Sequence, residues 1–87
     1  MIFEYDNKKS RSNLEKHGID FIEAQKLWES EIVELSSKNL DEPRVIGKIG
    51  NRFWTAIITM RGRLRDRIRI ISVRRSREEE KKICQEK

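Results

Sequence analysis

The sequence has few of the residues that build disulfide, metal or cofactor sites: its 87 residues include one cysteine, one histidine, one proline and four glycines. Cys84 has no partner for an internal disulfide, which suits a reducing cytosol, so we expect a cytoplasmic protein. No apolar run approaches the roughly 18 residues of a transmembrane helix, so we expect no membrane association. Without a cysteine pair, a second histidine or acids at ligand spacing, we expect no metal and no cofactor.

The length and composition limit the chain to one small domain. Hydrophobic residues make up 36% of the sequence and charged residues 40%, which leaves material for a modest core. There is no internal repeat and no low-complexity tract. We therefore treat residues 1–87 as a single domain.

Positive charge is concentrated in one segment. Residues 61–77 contain eight arginines and one acid, a net charge of +7, whereas the whole chain carries +5. The arginines are Arg61, Arg63, Arg65, Arg67, Arg69, Arg74, Arg75 and Arg77. Such clustering focuses a positive potential on one part of the surface and favours a polyanionic partner.

Two helices are predicted near the N-terminus, after a short strand over residues 2–5. Asp6 is placed to cap the first helix, which runs to about His17 with Gly18 just past its end. Asp20 and Glu23 have capping-box spacing and begin the second helix. Its apolar residues recur at intervals of three and four, which predicts a stripe that faces the core: Phe21, Ala24, Leu27 and Trp28.

The rest of the chain predicts a sheet followed by a last helix. Three or four strands are expected, and the candidates lie over residues 31–35, 44–49, 53–60 and 67–73. The Gly50-Asn51 turn joins the middle two, and the last three indicate an antiparallel meander. Ser76 and Glu79 have capping-box spacing and begin a C-terminal helix. The predicted fold is an α+β domain with helices packed against a twisted sheet.

Alternation along the last strand predicts which of its residues share a face. Ile68, Ile70 and Ser72 fall on one side, and Arg67, Arg69, Ile71 and Val73 on the other. Arg74 and Arg75 point to opposite sides of a straight strand, so a common site requires a bend at the helix start. Guanidinium groups bind phosphate oxygens through paired hydrogen bonds, which favours a nucleic-acid contact. The alternative is a solvated, arginine-rich edge strand that prevents aggregation.

The single histidine and the two tryptophans have both structural and functional interpretations. His17 shares a helix face with Ser10, Asn13 and Leu14, and Leu14 predicts that this face turns toward the sheet. A neutral imidazole there would remove a proton from a ribose 2′-hydroxyl, or the side chain caps carbonyls at the helix end. Trp28 and Trp54 are expected in the core rather than stacked on bases.

Three motifs with characteristic spacing are spread along the chain. They are Tyr5-Asp6-x-x-Lys9, Asn13-Leu14-x-Lys16-His17-Gly18-Ile19-x-Phe21, and Ile68-Arg69-Ile70-Ile71-Ser72-Val73-Arg74-Arg75-Ser76 followed by an acidic-basic helix. In this order they resemble the BrnT family of type II toxins. The resemblance implies a small RelE-like ribonuclease that cleaves RNA without a metal and arrests growth. It also implies a BrnA-like ribbon-helix-helix antitoxin as partner and, through that antitoxin, contact with operator DNA.

Site residues follow from the resemblance together with the arginine-rich hairpin. The hypothesis assigns catalysis to His17, Arg61, Arg74 and Arg75, and RNA binding to Lys16, Arg63, Arg65, Arg67 and Arg69. In it, His17 or a water removes the 2′-hydroxyl proton, and Arg61 with Arg74 or Arg75 stabilises the phosphorane. Many relatives have a glutamate just before the first arginine, where this chain has Met60, and the loop over residues 63–66 is longer than usual.

Two other function classes fit the same residues. One is a non-catalytic module that holds DNA or RNA by counterion release. The other is a docking surface for an acidic antitoxin segment, without affinity for RNA. Residue spacing does not separate these classes from an enzyme, and only the resemblance favours the ribonuclease.

Overall fold

A computed structural model describes residues 2–35 and 43–86 of the chain. Its five strands are β1 (Ile2–Glu4), β2 (Val33–Leu35), β3 (Arg44–Ile49), β4 (Arg52–Arg61) and β5 (Arg67–Arg75). Its helices are α1 (Asn7–His17), α2 (Phe21–Ala24), which continues as a 3₁₀ helix over Gln25–Glu29, and α3 (Glu78–Gln85). The predicted α+β class and the order of its elements are confirmed. No helix among the described residues is long and apolar enough to span a membrane.

The strands form one sheet in the order β1-β5-β4-β3-β2. Strands β2 to β5 pair antiparallel, as predicted, whereas β1 pairs parallel to β5 and makes the sheet mixed. The chain segment with α1 and α2 runs from β1 at one edge of the sheet to β2 at the opposite edge. Between these edges α1 and α2 cover one face of the sheet, which we call the inner face; the opposite one is the outer face.

The inner face carries the hydrophobic core. Phe21, Ala24 and Leu27 are fully buried, which confirms the predicted stripe of the second helix. Trp28 is half-buried with its ring 4.9 Å from that of Phe3. The sheet contributes Val45, Trp54, Ala56, Ile58, Ile68, Ile70 and Val73 to the core. Trp54 is therefore a core residue, as expected from the sequence.

A β-bulge in β5 changes the predicted faces of that strand. Ile57 pairs with Ser72 and Ile58 pairs with Ile70, so Ile71 has no partner on β4. The extra residue shifts the alternation by one position. As a result Val73 joins Ile68 and Ile70 on the inner face, and Ser72 moves to the outer face. The sequence-based assignment of Ser72 and Val73 was wrong because alternation does not register a bulge.

Helix α1 packs on the sheet through polar residues. Ser10 and Asn13 are buried, whereas Leu14 and His17 are exposed, so the prediction that Leu14 turns inward was wrong. Asn13 Nδ2 donates to the carbonyls of Ile19 and Val73 at 2.8 and 2.9 Å. Asn13 Oδ1 accepts from Val73 N at 3.1 Å. The amide thus replaces a neighbouring strand along the edge of β5.

Replacing Asn13 with alanine is expected to lower the free energy of unfolding by about 2 to 3 kcal/mol, because buried backbone groups of Val73 and Ile19 lose their partners. Asn13→Asp should be at least as destabilising, since its carboxylate faces two carbonyl oxygens. Urea unfolding followed by tryptophan fluorescence measures the change. The exposed Asn7 is the control: Asn7→Ala should shift stability by less than about 0.5 kcal/mol. An Asn13→Ala protein as stable as the Asn7→Ala protein would contradict this role.

Helix α3 begins later than predicted and covers one end of the outer face. Its N-cap is Arg77 and its third residue is Glu80, whose Oε1 accepts from Arg77 N at 2.8 Å. The expected cap, Ser76, is instead buried, with its hydroxyl 2.8 Å from that of Thr55. The helix packs on β3. Among the described residues no helix covers the other end of the outer face, which is formed by β1, β5 and the end of β4.

Candidate functional site

Three arginines surround one carboxylate on the open end of the outer face. Glu4 lies 3.7 Å from Arg61 Nε, 3.7 Å from Arg67 Nη1 and 4.0 Å from Arg69 Nη1. We call this group the Glu4 arginine cluster. It carries three permanent positive charges against one negative charge.

Strand register brings these residues together. Arg61 at the end of β4 pairs with Arg67 at the start of β5, so both project from the outer face. The parallel pairing of β1 with β5 places Glu4 opposite Arg69. Because directly paired residues of neighbouring strands share a face, four side chains from three strands meet at one edge of the sheet.

The cluster has capacity to bind an anion. All three distances exceed those of a hydrogen bond, so Glu4 attracts the guanidinium groups without occupying their donors. The arginine side chains are 56%, 50% and 35% exposed for Arg61, Arg67 and Arg69, which leaves them accessible from solvent. Guanidinium groups form charge-assisted hydrogen bonds with phosphate oxygens, so the cluster can bind a phosphodiester.

A second group of charged residues lies between α3 and the sheet, and it is buried. Glu80 is 3% exposed and accepts from Arg74 Nη1 at 2.8 Å and from Arg74 Nη2 at 3.0 Å. The Thr55 hydroxyl also donates to Glu80, at 3.1 Å. Burial alone raises the pKa of Glu80, but the hydrogen bonds from Arg74 and Arg77 N outweigh it and lower the pKa to about 2. Glu80 is therefore a carboxylate that joins α3 to the sheet.

The structure does not bring Arg74 and Arg75 into the Glu4 arginine cluster. Arg74 is bonded to Glu80 and its side chain is only 18% exposed. Arg75 projects from the inner face, with its guanidinium carbon 5.6 Å from the centre of the Trp54 ring. Arg74 pairs with Thr55, six residues before Arg61 on β4, so their backbones are about 20 Å apart. The expected convergence of Arg61 with the Arg74-Arg75 pair is not observed.

The other predicted basic residues lie on either side of the cluster. Arg63 and Arg65 are exposed in the loop that joins β4 to β5, next to Arg61. Lys16 and His17 lie at the end of α1 and line a cleft of about 170 Å³ between this helix and the bulge of β5. Of the nine predicted site residues, the cluster unites three: Arg61, Arg67 and Arg69.

Glu4 is the residue that the sequence analysis missed as a site candidate. The sequence feature that could have indicated it is a single acid within an otherwise apolar N-terminal strand. Only the pairing of β1 with β5, however, shows which residues surround Glu4. Met60, which occupies the position of the expected glutamate, packs against the core. Among the residues that the structure describes, no three histidine, cysteine, aspartate or glutamate side chains are grouped as metal ligands.

Comparison with known proteins places the chain in a family. The family model described as "Ribonuclease toxin, BrnT, of type II toxin-antitoxin system" matches residues 5–80. The crystal structure of the Brucella abortus ribonuclease toxin BrnT is similar over 90% of this chain and 100% of that chain, with a TM-score of 0.66 and 22% sequence identity. No curated protein sequence matches the chain. Because the family model spans most of the described sequence, this chain belongs to the BrnT family of ribonuclease toxins of type II toxin–antitoxin systems.

Proposed function

We propose that this protein is an endoribonuclease toxin that cleaves RNA without a metal ion and thereby arrests growth. The observation that carries the proposal is the Glu4 arginine cluster, in which three accessible guanidinium groups surround one carboxylate. The cluster supplies the two chemical requirements of RNA transesterification. These are a cationic site for the phosphate and a proton acceptor close to it.

In the proposed mechanism the scissile phosphate docks on Arg61, Arg67 and Arg69. Glu4 accepts the proton of the adjacent ribose 2′-hydroxyl, and the 2′-oxygen attacks phosphorus. The arginines stabilise the added negative charge of the phosphorane. The bond to the 5′-oxygen then breaks, and that oxygen takes a proton from water. The products are a 2′,3′-cyclic phosphate and a free 5′-hydroxyl.

His17 is the other candidate base. It lies in the cleft beside α1, so its participation requires the ribose to reach that cleft. The variants Glu4→Gln and His17→Ala separate the two assignments. Loss of cleavage with normal RNA binding in only one of them identifies the base, and Glu4→Gln should be that variant.

Membership of a type II toxin family implies an antitoxin partner. We propose that this partner is a BrnA-like ribbon-helix-helix protein, through which the complex contacts operator DNA, and that the toxin acts in the cytoplasm. An acidic antitoxin segment would be complementary to the exposed arginines of the cluster. Binding of such a segment there would cover the phosphate site.

The proposed function predicts cleavage of single-stranded RNA by the purified protein in the presence of EDTA. The products should carry 2′,3′-cyclic phosphate ends, detected by mass spectrometry. Induced expression in cells should stop growth, and co-expression of the antitoxin should restore it. RNA that binds with a steep salt dependence yet stays intact after long incubation would instead indicate a non-catalytic binding module. A free protein without RNA affinity would indicate a docking surface alone.

A further inference from the structure

A basic cleft lies near the Glu4 arginine cluster and takes no part in the proposed mechanism when Glu4 is the base. Its volume is about 170 Å³, and we call it the α1–β5 cleft. The residues that line it are Lys9, Ser12, Asn13, Lys16, His17, Ile71 and Ser72. Its walls therefore combine two ammonium groups, one imidazole and two hydroxyl groups.

Local structure explains why these side chains meet. Lys9, Ser12 and Lys16 are three and four residues apart, so they form one stripe along α1. On the opposite wall, the bulge in β5 moves Ser72 to the outer face and leaves Ile71 without a partner residue on β4. The helix stripe and the bulge thus form the two sides of the cleft.

The cations of the cleft are not held in salt bridges within the described part of the chain. Within residues 2–35 and 43–86, no carboxylate lies within 4.0 Å of Lys9, Lys16 or His17. Lys26 and Lys81 differ, since each is paired with a glutamate on its own helix. The donors in the cleft are therefore available to an external anion.

The cleft lies close to the Glu4 arginine cluster. Ser72 and Arg69 lie on the same face of β5, three residues or about 10 Å apart along the strand. Backbone hydrogen bonds from Lys9 and Lys8 lower the pKa of Asp6 most, and the charges of Lys9 in the cleft and Arg69 in the cluster lower it further, so Asp6 is near both groups of cations. The Asp6 carboxylate is itself engaged as the cap of α1.

We propose that the α1–β5 cleft binds a second backbone phosphate of the single-stranded RNA whose scissile phosphate occupies the Glu4 arginine cluster. The proposal rests on the proposed function for the position of the scissile phosphate. The two ammonium groups and two hydroxyl groups of the cleft suit phosphate oxygens, and phenylalanine, tyrosine and tryptophan are absent from its lining, which favours contact with the backbone over a stacked base. The cleft then contributes affinity and strand alignment, independent of RNA sequence.

The test uses an octanucleotide with 2′-O-methyl riboses, which binds but cannot be cleaved. In Lys9→Ala/Lys16→Ala, the slope of log affinity against log salt should fall in magnitude by about 0.7, the contribution of one phosphate neutralised on a single strand. The exposed Lys8 and Lys82 provide a control of equal charge change. Lys8→Ala/Lys82→Ala should keep the wild-type slope. Equal losses in both double variants would overturn the proposal, as would an unchanged slope in the first.

Substrate length separates this site from the catalytic one. A dinucleotide has a single phosphate and cannot occupy both sites at once. The Lys9→Ala/Lys16→Ala variant should therefore cleave a dinucleotide at the wild-type kcat/KM but have a raised KM for an octanucleotide. If the wild-type protein cleaves neither substrate, the proposed function fails, while the binding measurement still tests the cleft. If the variant binds RNA normally but loses antitoxin binding, the cleft is a protein-docking surface and the RNA proposal is wrong.

Discussion

Replacing Arg69 with alanine is expected to slow RNA cleavage by about 10²- to 10³-fold, the usual effect of removing one donor that stabilises a charged transition state. Arg69 is the central arginine of the site, because β1 pairs it with Glu4 and β5 places it beside Arg67. Single-turnover rates with saturating protein measure the chemical step directly. Growth inhibition at equal expression provides the corresponding measurement in cells.

The control for Arg69→Ala is Arg52→Ala, which removes the same charge from an exposed position at the other end of β4. Its cleavage rate should stay within about twofold of the wild type, because screening weakens the effect of a distant surface charge. Arg75→Ala tests the assignment made from sequence. If Arg75→Ala abolishes cleavage and Arg69→Ala does not, the Glu4 arginine cluster is not the catalytic site.

Replacing Glu80 with glutamine is expected to lower the free energy of unfolding by about 3 to 5 kcal/mol, since it leaves the Arg74 guanidinium largely buried without its counter-charge. Glu80 also accepts from Thr55 and from Arg77 N, so α3 loses its main polar connection to the sheet. Urea unfolding at pH 7 measures the loss. Glu79→Gln is the matched control on the same helix, because Glu79 is exposed.

The dependence of protein stability on acidic pH provides an independent test of the Glu80 ion pair. The pKa of Glu80 is lowered from 4.5 to about 2 in the folded protein. A lowered carboxylate pKa contributes stability above pH 4.5 that is lost as the pH falls toward 2. The contribution is on the order of 3 kcal/mol, and it should be missing from the pH profile of Glu80→Gln. Identical acid profiles for wild type and Glu80→Gln would show that Glu80 is not a buried ion-pair partner.

Helix boundaries near the N-terminus could be predicted from the sequence because their determinants are local. Asp6 accepts from the N–H groups of Lys8 and Lys9, and Asp20 accepts from that of Glu23. Gly18 has a φ of 81°, the left-handed conformation expected of a residue that ends a helix. Each of these interactions joins residues within four positions of one another.

The C-terminal helix shows the limit of such local signals. Ser76 and Glu79 have capping-box spacing, yet the helix uses Arg77 and Glu80, one residue later. The register is decided by Glu80, which must reach Arg74 and Thr55 on the sheet beneath it. A buried ion pair outweighed a cap whose effect is about 1 kcal/mol.

The sequence by itself determined the α+β class, the order of the elements, the apolar stripe of the second helix and the concentration of arginine near residues 61–77. These follow from periodicity and composition, which a single chain segment expresses on its own. Only the tertiary structure decided which arginines share a site. Glu4 lies beside Arg69 because β1 pairs in parallel with β5, more than 60 residues later in the chain. The bulge at Ile71 shifts which residues of β5 face the core. Both are properties of contacts between distant segments, which the pattern within any one segment does not encode.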